Sequence, residues 1–177
     1  MPGPAIPLQL GGRLESVWSR PYTLGMRATR INHVSVSARD LAESVLFYTE
    51  VLGLTPVATP DFGFPVQWLQ LGQVQLHVFE HTQCEAPISH HVALEVDDFA
   101  SVLRAVRDRG IEDRETFGHW LYRLPDGAAQ LYLRDPGGNL IEIDEPNADA
   151  LDPDLVAEIR PLPRPQTGAA AAATLWA

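Results

Sequence analysis

Hydrophobic and polar residues alternate along two similar stretches of the chain, residues 31–37 and 91–96. Side chains on a β-strand point to opposite faces in turn, so this alternation predicts two strands. A histidine, His33 or His91, stands at or near the start of each run, and a stretch of helical period follows. The chain therefore contains an internal repeat of strand and helix with a histidine at the same point.

Each predicted helix has a start and a stop signal. Asp40 and Asp98 stand seven residues after the two histidines and are good N-caps, while Gly53 and Gly110 suit the end of a helix. The apolar faces predicted for the helices are Leu41, Val45, Tyr48 and Leu52 in the first and Phe99, Val102, Leu103 and Val106 in the second.

Three more strands are predicted in each half. They are residues 55–58, 66–71 and 74–79 in the first half and 121–124, 128–133 and 140–144 in the second. The predicted fold is therefore α+β, with two βαβββ half-domains that form a cupped, mixed or antiparallel sheet and carry a helix on the outer face of each half.

The ends of the chain differ in composition from its centre. Residues 1–28 lack a clear period and are predicted to be a poorly structured leader, and residues 147–177 form a Pro/Ala-rich tail that is expected to be mobile or loosely docked. The folded domain is predicted over 29–146, with halves at 29–82 and 88–146.

The charge balance narrows the choice of partners. The net charge of −10 in 177 residues argues against nucleic acid and anionic membranes, which both favour clustered basic residues. No apolar run is long enough to span a bilayer. Since the single cysteine, Cys84, cannot form an internal disulfide, a cytoplasmic location is expected.

Five side chains on the predicted strands could form a metal site. His33 and His91 are related by the repeat, Glu142 lies on the last strand of the second half, and Gln75 and His77 share a face because they are two residues apart. Two imidazoles and a carboxylate bind Fe, Mn, Ni or Zn ions and leave positions open for a substrate. The ligand set does not choose among these metals.

Histidine and glutamate residues can also have purely structural or surface roles in a protein of this kind. His81, His90 and His119 are expected to be structural or surface residues. Glu142 stands between two isoleucines, so its side chain either points inward, where a carboxylate needs a cation or donors, or forms the polar face of a half-exposed strand.

Three stretches taken in order resemble the vicinal oxygen chelate superfamily, which includes glyoxalase I, methylmalonyl-CoA epimerase, the bleomycin-resistance proteins and extradiol dioxygenases. The resemblance covers roughly residues 29–146. The matching stretches are 31–36 with Asp40 and 47–54, then 91–98, then 135–142.

The resemblance implies a divalent metal in the cup that binds two vicinal oxygens of a substrate. His33, His91 and Glu142 match its metal-ligand positions. Glyoxalase-like members have a fourth ligand, Glu or Gln, on the last strand of the first half, where Gln75 is the nearest match by strand pattern. His77 is chemically the better ligand and is predicted to bind the metal, with Gln75 either ligating or touching the substrate.

The dioxygenase motif is only partly present. Tyr132, Asp135-Pro136 and Glu142 follow its pattern, but residues 124–130 lack the histidine that it requires, and His119 is too far upstream. Members that transfer thiols to fosfomycin hold a phosphonate with cationic residues, and Arg123 and Arg134 are the available candidates.

These features predict a metal-dependent enzyme of the glyoxalase/dioxygenase type on a small oxygenated substrate, with the metal as Lewis acid and Tyr132 as the catalytic candidate. A lyase or isomerase is favoured over an extradiol dioxygenase, and a homodimer is expected. The alternative is a metal-free protein of the bleomycin-resistance type that binds a drug or an aromatic ligand.

Overall fold

The computed structural model describes residues 28–83 and 85–176. The predicted leader, apart from its last residue, and Cys84 lie outside the described residues. The described residues from Ile31 onward belong to one compact unit. Among the described residues, no helix has the length and hydrophobicity needed to cross a membrane.

The first half has the predicted βαβββ order. Its elements are β1 (His33–Ala38), α1 (Leu41–Glu50), β2 (Thr55–Val57), β3 (Val66–Leu71) and β4 (Val74–Glu80). They form a four-stranded sheet in the order β1-β4-β3-β2, in which β1 and β4 are parallel and the other pairs are antiparallel.

The second half repeats this arrangement and adds a strand. Its elements are β5 (His91–Glu95), α2 (Phe99–Arg109), β6 (Leu121–Arg123), β7 (Ala129–Arg134) and β8 (Leu140–Glu145). The sheet order is β5-β8-β7-β6-β9, where β9 (Arg160–Pro161) pairs in parallel with β6. The predicted α+β class is confirmed, with the strands divided between two sheets.

Both helices begin at the predicted caps. The Asp40 carboxylate accepts a hydrogen bond from the Glu43 backbone N–H at 2.9 Å, and Asp98 accepts one from the Ser101 backbone N–H at 2.9 Å. Gly110 ends α2 at φ 63°, a left-handed conformation that glycine adopts without a steric penalty.

The predicted inner face of α2 is confirmed, whereas that of α1 is shifted. All four predicted α2 residues are buried. In α1 the buried residues are Ser44, Phe47 and Tyr48, while Leu41 and Val45, with Leu52 just beyond the helix, are only half-buried against the core. The helix is therefore rotated so that Phe47, rather than Leu41, faces the sheet.

One hydrophobic core underlies both halves. It joins the inner faces of α1 and α2 to one side of each sheet and includes Leu76 and Val78 from the first half and Leu94 and Ile143 from the second. Successive strand residues alternate in direction, so His33 and His91 project from the opposite side of their sheets. We call the side of each sheet opposite this core the site face.

The predicted domain boundary at residue 146 falls inside the compact unit. Ala148 and Leu155 are buried in the common core, and the short helix α3 (Pro153–Val156) leads to β9. The start of the Pro/Ala-rich tail thus belongs to the folded domain, because its buried apolar residues are part of the common core.

The turn between β7 and β8 joins the two halves. The Tyr48 hydroxyl donates to the buried Asp135 carboxylate at 2.6 Å, and the Asn139 side-chain amide donates to the Ser37 carbonyl of β1 at 2.8 Å. A β-carbon on Gly137 would overlap that same Ser37 oxygen. The glycine is therefore required for the close approach of the turn to β1.

Gly137→Ala is expected to lower the free energy of unfolding by about 1–3 kcal/mol, because the added methyl group must push β1 and the turn apart. Chemical denaturation measures the change. Gly127→Ala is the matched control for a clash: this glycine has open space around the position of a β-carbon, and its φ of 93° makes backbone strain the only cost. A destabilisation no greater in Gly137→Ala than in the control would contradict the role of close approach.

Candidate functional site

The predicted metal ligands lie on the site face as two pairs, one in each half. His33 and His77 form the pair of the first sheet, and His91 and Glu142 form the pair of the second. Each pair joins the first strand of its half to the strand that lies parallel to it, so the sheet topology brings together residues that are far apart in sequence.

In the first half, three rings form a continuous stack. The His77 ring lies between His33, at a centroid distance of 4.2 Å and an angle of 9°, and Trp68, at 4.4 Å and 5°. His77 Nε2 is 3.0 Å from Gln75 Oε1. Burial of the His77 ring, together with the neighbouring His33, lowers the pKa of His77, which favours the neutral imidazole that a metal requires.

In the second half, the atoms of His91 and Glu142 that could coordinate a metal face each other. His91 Nε2 is 3.3 Å from Glu142 Oε2, while His91 Nδ1 is 2.9 Å from the Ser89 carbonyl oxygen. Because a carbonyl only accepts, Nδ1 carries a proton in this contact, and Nε2 is the ring nitrogen that is left to bind a metal.

Glu142 points into the site rather than to solvent. Its side chain is 5% exposed, and its second oxygen accepts a hydrogen bond of 2.5 Å from the Gln130 side-chain amide. The structure thus decides between the two orientations that the sequence left open for Glu142. The Gln130 amide supplies a donor of the kind that a buried carboxylate requires, and the Glu142 oxygen facing His91 Nε2 is left for a cation.

The strand registers relate His77 to Glu142. Ser35 of β1 pairs with His77, and Ala93 of β5 pairs with Glu142, and each of these partners stands two residues after the histidine of its half. His77 therefore occupies the position in the first half that Glu142 occupies in the second. Gln75, which pairs directly with His33, corresponds instead to Leu140. This register favours His77 over Gln75 as the fourth ligand.

The donor set suits a divalent first-row metal, since it offers three imidazoles and one carboxylate. Within the described ranges, however, no three His, Cys, Asp or Glu side chains are close enough together to hold an ion. The structure places the predicted ligands on the site face as two separate pairs, so their convergence on one ion stays a prediction.

Tyr132 lies beside the second pair, directly opposite Glu142 in the register of β7 and β8. Its hydroxyl donates to Gln130 Oε1 at 3.1 Å, and Gln130 in turn donates to Glu142. Burial and the adjacent Glu142 raise the pKa of Tyr132, so the phenol keeps its proton and acts as a donor.

The sequence reasoning missed Asp144, which lies two residues beyond Glu142 on the same face. Its side chain is buried, and Oδ1 has no hydrogen-bond partner. Burial and the nearby Glu142 raise the pKa of Asp144 to about 7. The alternation of Glu142, Ile143 and Asp144 in the sequence places Asp144 on the same strand face as Glu142, and this pattern could have identified it.

Asp144 is expected to make the protein less stable as pH rises from about 4 to 7. Its folded pKa is raised, so the folded state binds the proton more tightly than the unfolded chain does, and this stabilisation is lost as pH rises through about 7. The free energy of unfolding should fall over this range in the wild type and less in Asp144→Asn. Equal pH profiles of the two proteins would contradict this assignment.

Neither arginine considered for phosphonate binding is free. Arg123 forms an ion pair with Asp149 at 2.5 Å. Arg134 donates to Asp113 at 2.7 Å and to three further oxygens around it. The remaining histidines fit structural or surface roles: His119 is buried against aromatic rings, while His81 and His90 are exposed.

Comparison with known proteins decides the family. The sequence profile of the Glyoxalase/Bleomycin resistance protein/Dioxygenase superfamily matches residues 30–143. The chain belongs to this superfamily. The match ends before α3 and β9, so the C-terminal segment that completes the second sheet lies outside it.

Two curated superfamily relatives and one solved structure show how far the similarity extends. The chain is 27% identical over 136 residues to the mitochondrial methylmalonyl-CoA epimerase of Bos taurus, covering 66% of this chain and 74% of the relative. It is 28% identical over 130 residues to Glyoxylase I 4 of Arabidopsis thaliana, covering 67% and 71%. A putative glyoxalase family protein from Bacillus anthracis shares the fold, with a TM-score of 0.55 at 24% identity over 68% of this chain and 97% of that one.

Proposed function

We propose that this superfamily member is a metal-dependent enzyme that acts on a small oxygenated substrate, with His33, His77, His91 and Glu142 as the metal ligands. The observation that carries the proposal is the equivalence of the two pairs in strand register, each on the site face. A metal site shared between two half-domains needs ligands from each half, and the same strand topology places one pair of ligands in each.

A divalent ion held there would act as a Lewis acid on a carbonyl or enediolate oxygen. The residues around it have separate tasks. The Ser89 carbonyl fixes the His91 tautomer, and Gln130 orients the Glu142 carboxylate. The protonated Tyr132 would donate a hydrogen bond to a substrate oxygen, and Glu142 could act as base only when free of the metal.

A lyase or isomerase is favoured over ring cleavage because the dioxygenase motif lacks its upstream histidine. The names of the curated relatives, an epimerase and a glyoxylase, support the same preference. Oxygen uptake separates the two classes. Fe(II)-loaded protein given a panel of catechols should consume no oxygen beyond the protein-free rate, and rapid uptake that disappears in Tyr132→Phe would establish a dioxygenase instead.

Metal content tests the proposal itself. Protein purified without chelators would be assayed for Fe, Mn, Ni and Zn, and the apoprotein would be titrated with each ion. We expect one ion per chain. A protein that binds none of the four would support the metal-free alternative, which the separation of the ligands into two pairs and the exposed rings of Phe62 and Phe64 also favour.

Cytoplasmic location and a homodimer remain part of the proposal. Light scattering coupled to size-exclusion chromatography measures the mass in solution, and a value of about twice the 19.5 kDa of the chain is expected. A mass equal to one chain would remove the dimer from the proposal.

A further inference from the structure

Four aromatic side chains cover part of the site face in the first half. Phe62 and Phe64 come from the connection between β2 and β3, Trp68 lies on β3, and Phe79 lies on β4. We call these four residues the aromatic wall. The Phe62 ring centroid is 5.7 Å from Phe64 and 6.0 Å from Trp68, and Phe64 is 6.0 Å from Phe79.

The aromatic wall continues into the proposed metal ligands. Trp68 lies parallel to His77, which lies parallel to His33, and Phe79 is two residues from His77 on the same strand face, with ring centroids 6.4 Å apart. A molecule whose oxygens reach the histidines therefore has its remaining atoms within reach of the wall.

Part of the wall is open to solvent. Phe62 is 47% exposed and Phe64 51% exposed, although both rings contact other aromatic residues. Clustered exposed rings of this kind mark binding surfaces, because water contact with them is unfavourable and a ligand removes it.

The two halves of the site face differ in charge. No member of the wall is charged, whereas the site face of the second half carries Glu95, Glu142 and Asp144, whose carboxylates lie on neighbouring strand positions. An uncharged part of a ligand is therefore favoured at the wall, because binding there does not remove water from a charged group.

We propose that the aromatic wall is a subsite for an uncharged planar ring on the substrate. Flat rings stack on aromatic side chains with a gain beyond that of burying the same area. The ring would lie against Phe62, Phe64 and Trp68, and the oxygens attached next to it would point toward His33 and His77. The position of the oxygens rests on the proposed function, while the ring subsite stands on the wall alone.

Three probes that share the hydroxymethyl ketone group test the subsite. They are 2-hydroxyacetophenone, its cyclohexyl analogue and hydroxyacetone, which carries no ring. Calorimetry would measure their affinities for the apoprotein and for metal-loaded protein. The phenyl probe should bind at least about tenfold more tightly than hydroxyacetone and about three- to tenfold more tightly than the cyclohexyl probe, the range expected for stacking.

Two variants and a control locate the binding. Phe64→Leu keeps an apolar surface at an exposed position and should remove most of the preference for phenyl over cyclohexyl, and Trp68→Leu should do the same if it folds. Leu46→Ala removes an exposed apolar side chain of α1, and its affinities should match the wild type.

The outcomes separate this proposal from the proposed function. Equal affinity for all three probes, or a phenyl preference unchanged in Phe64→Leu, would overturn the ring subsite even in a protein that binds metal. Phenyl preference in a protein that binds none of the four metals would retain the subsite and reject the metalloenzyme.

Discussion

Glu142→Ala is expected to lower the affinity for a divalent metal by about 100-fold or more, because the variant lacks the one carboxylate of the proposed ligand set. His33→Ala should lose affinity to a similar degree, since His33 lies in the other pair and contributes only if both pairs bind the same ion. Competition with a chelator of known affinity measures both changes.

Glu95→Gln is the matched control for this experiment. Glu95 lies on the same face of the second sheet, paired with Asp144, but belongs to neither ligand pair. Its replacement should leave metal affinity within about twofold of the wild type, and circular dichroism should show that all three variants are folded. Unchanged metal stoichiometry and affinity in His33→Ala would refute a shared site.

Asp135→Ala is expected to cost about 3 kcal/mol of unfolding free energy. The buried Asp135 carboxylate accepts hydrogen bonds from the Tyr48 hydroxyl at 2.6 Å and from the Asn139 backbone and side-chain N–H groups, each at 2.7 Å. Its removal leaves the buried Tyr48 hydroxyl without an acceptor. Burial and the adjacent carboxylate raise the pKa of Tyr48, so the hydroxyl keeps its proton and needs an acceptor for it.

Urea denaturation of a double-mutant cycle separates this bond from the rest of the turn. Tyr48→Phe deletes the bond but leaves Asp135 paired with Asn139, so it should cost only about 1 kcal/mol. Combining the two substitutions should cost less than their sum. Strictly additive losses would show that the contact does not couple the two halves.

Local patterns in the sequence were sufficient to predict most of the fold. The caps at Asp40 and Asp98, the buried face of α2 and the βαβββ sequence of elements along each half depend on residues close together in the chain. The rotation of α1 could not be predicted, because Leu41 and Phe47 are similar in hydrophobicity and the sheet beneath them decides which one is buried.

The candidate site was predictable in its residue types but not in its geometry. The repeat identified His33 and His91, yet the match of His77 to Glu142 requires the register of parallel strands that are distant in sequence. The inward orientation of Glu142 depends on Gln130 of the neighbouring strand. Cross-strand contacts of this kind have no short-range signal in the sequence.

One outer strand of each sheet, β2 in the first and β9 in the second, limits how two copies of the chain can associate. β2 is three residues long and contains Pro56, while β9 is two residues long and ends at Pro161. Proline has no N–H to donate, and short edge strands offer few backbone groups to another chain. Joining two copies by extending their sheets at β2 or β9 is therefore disfavoured, and strand pairing between copies would have to use the longer edge strands β1 and β5.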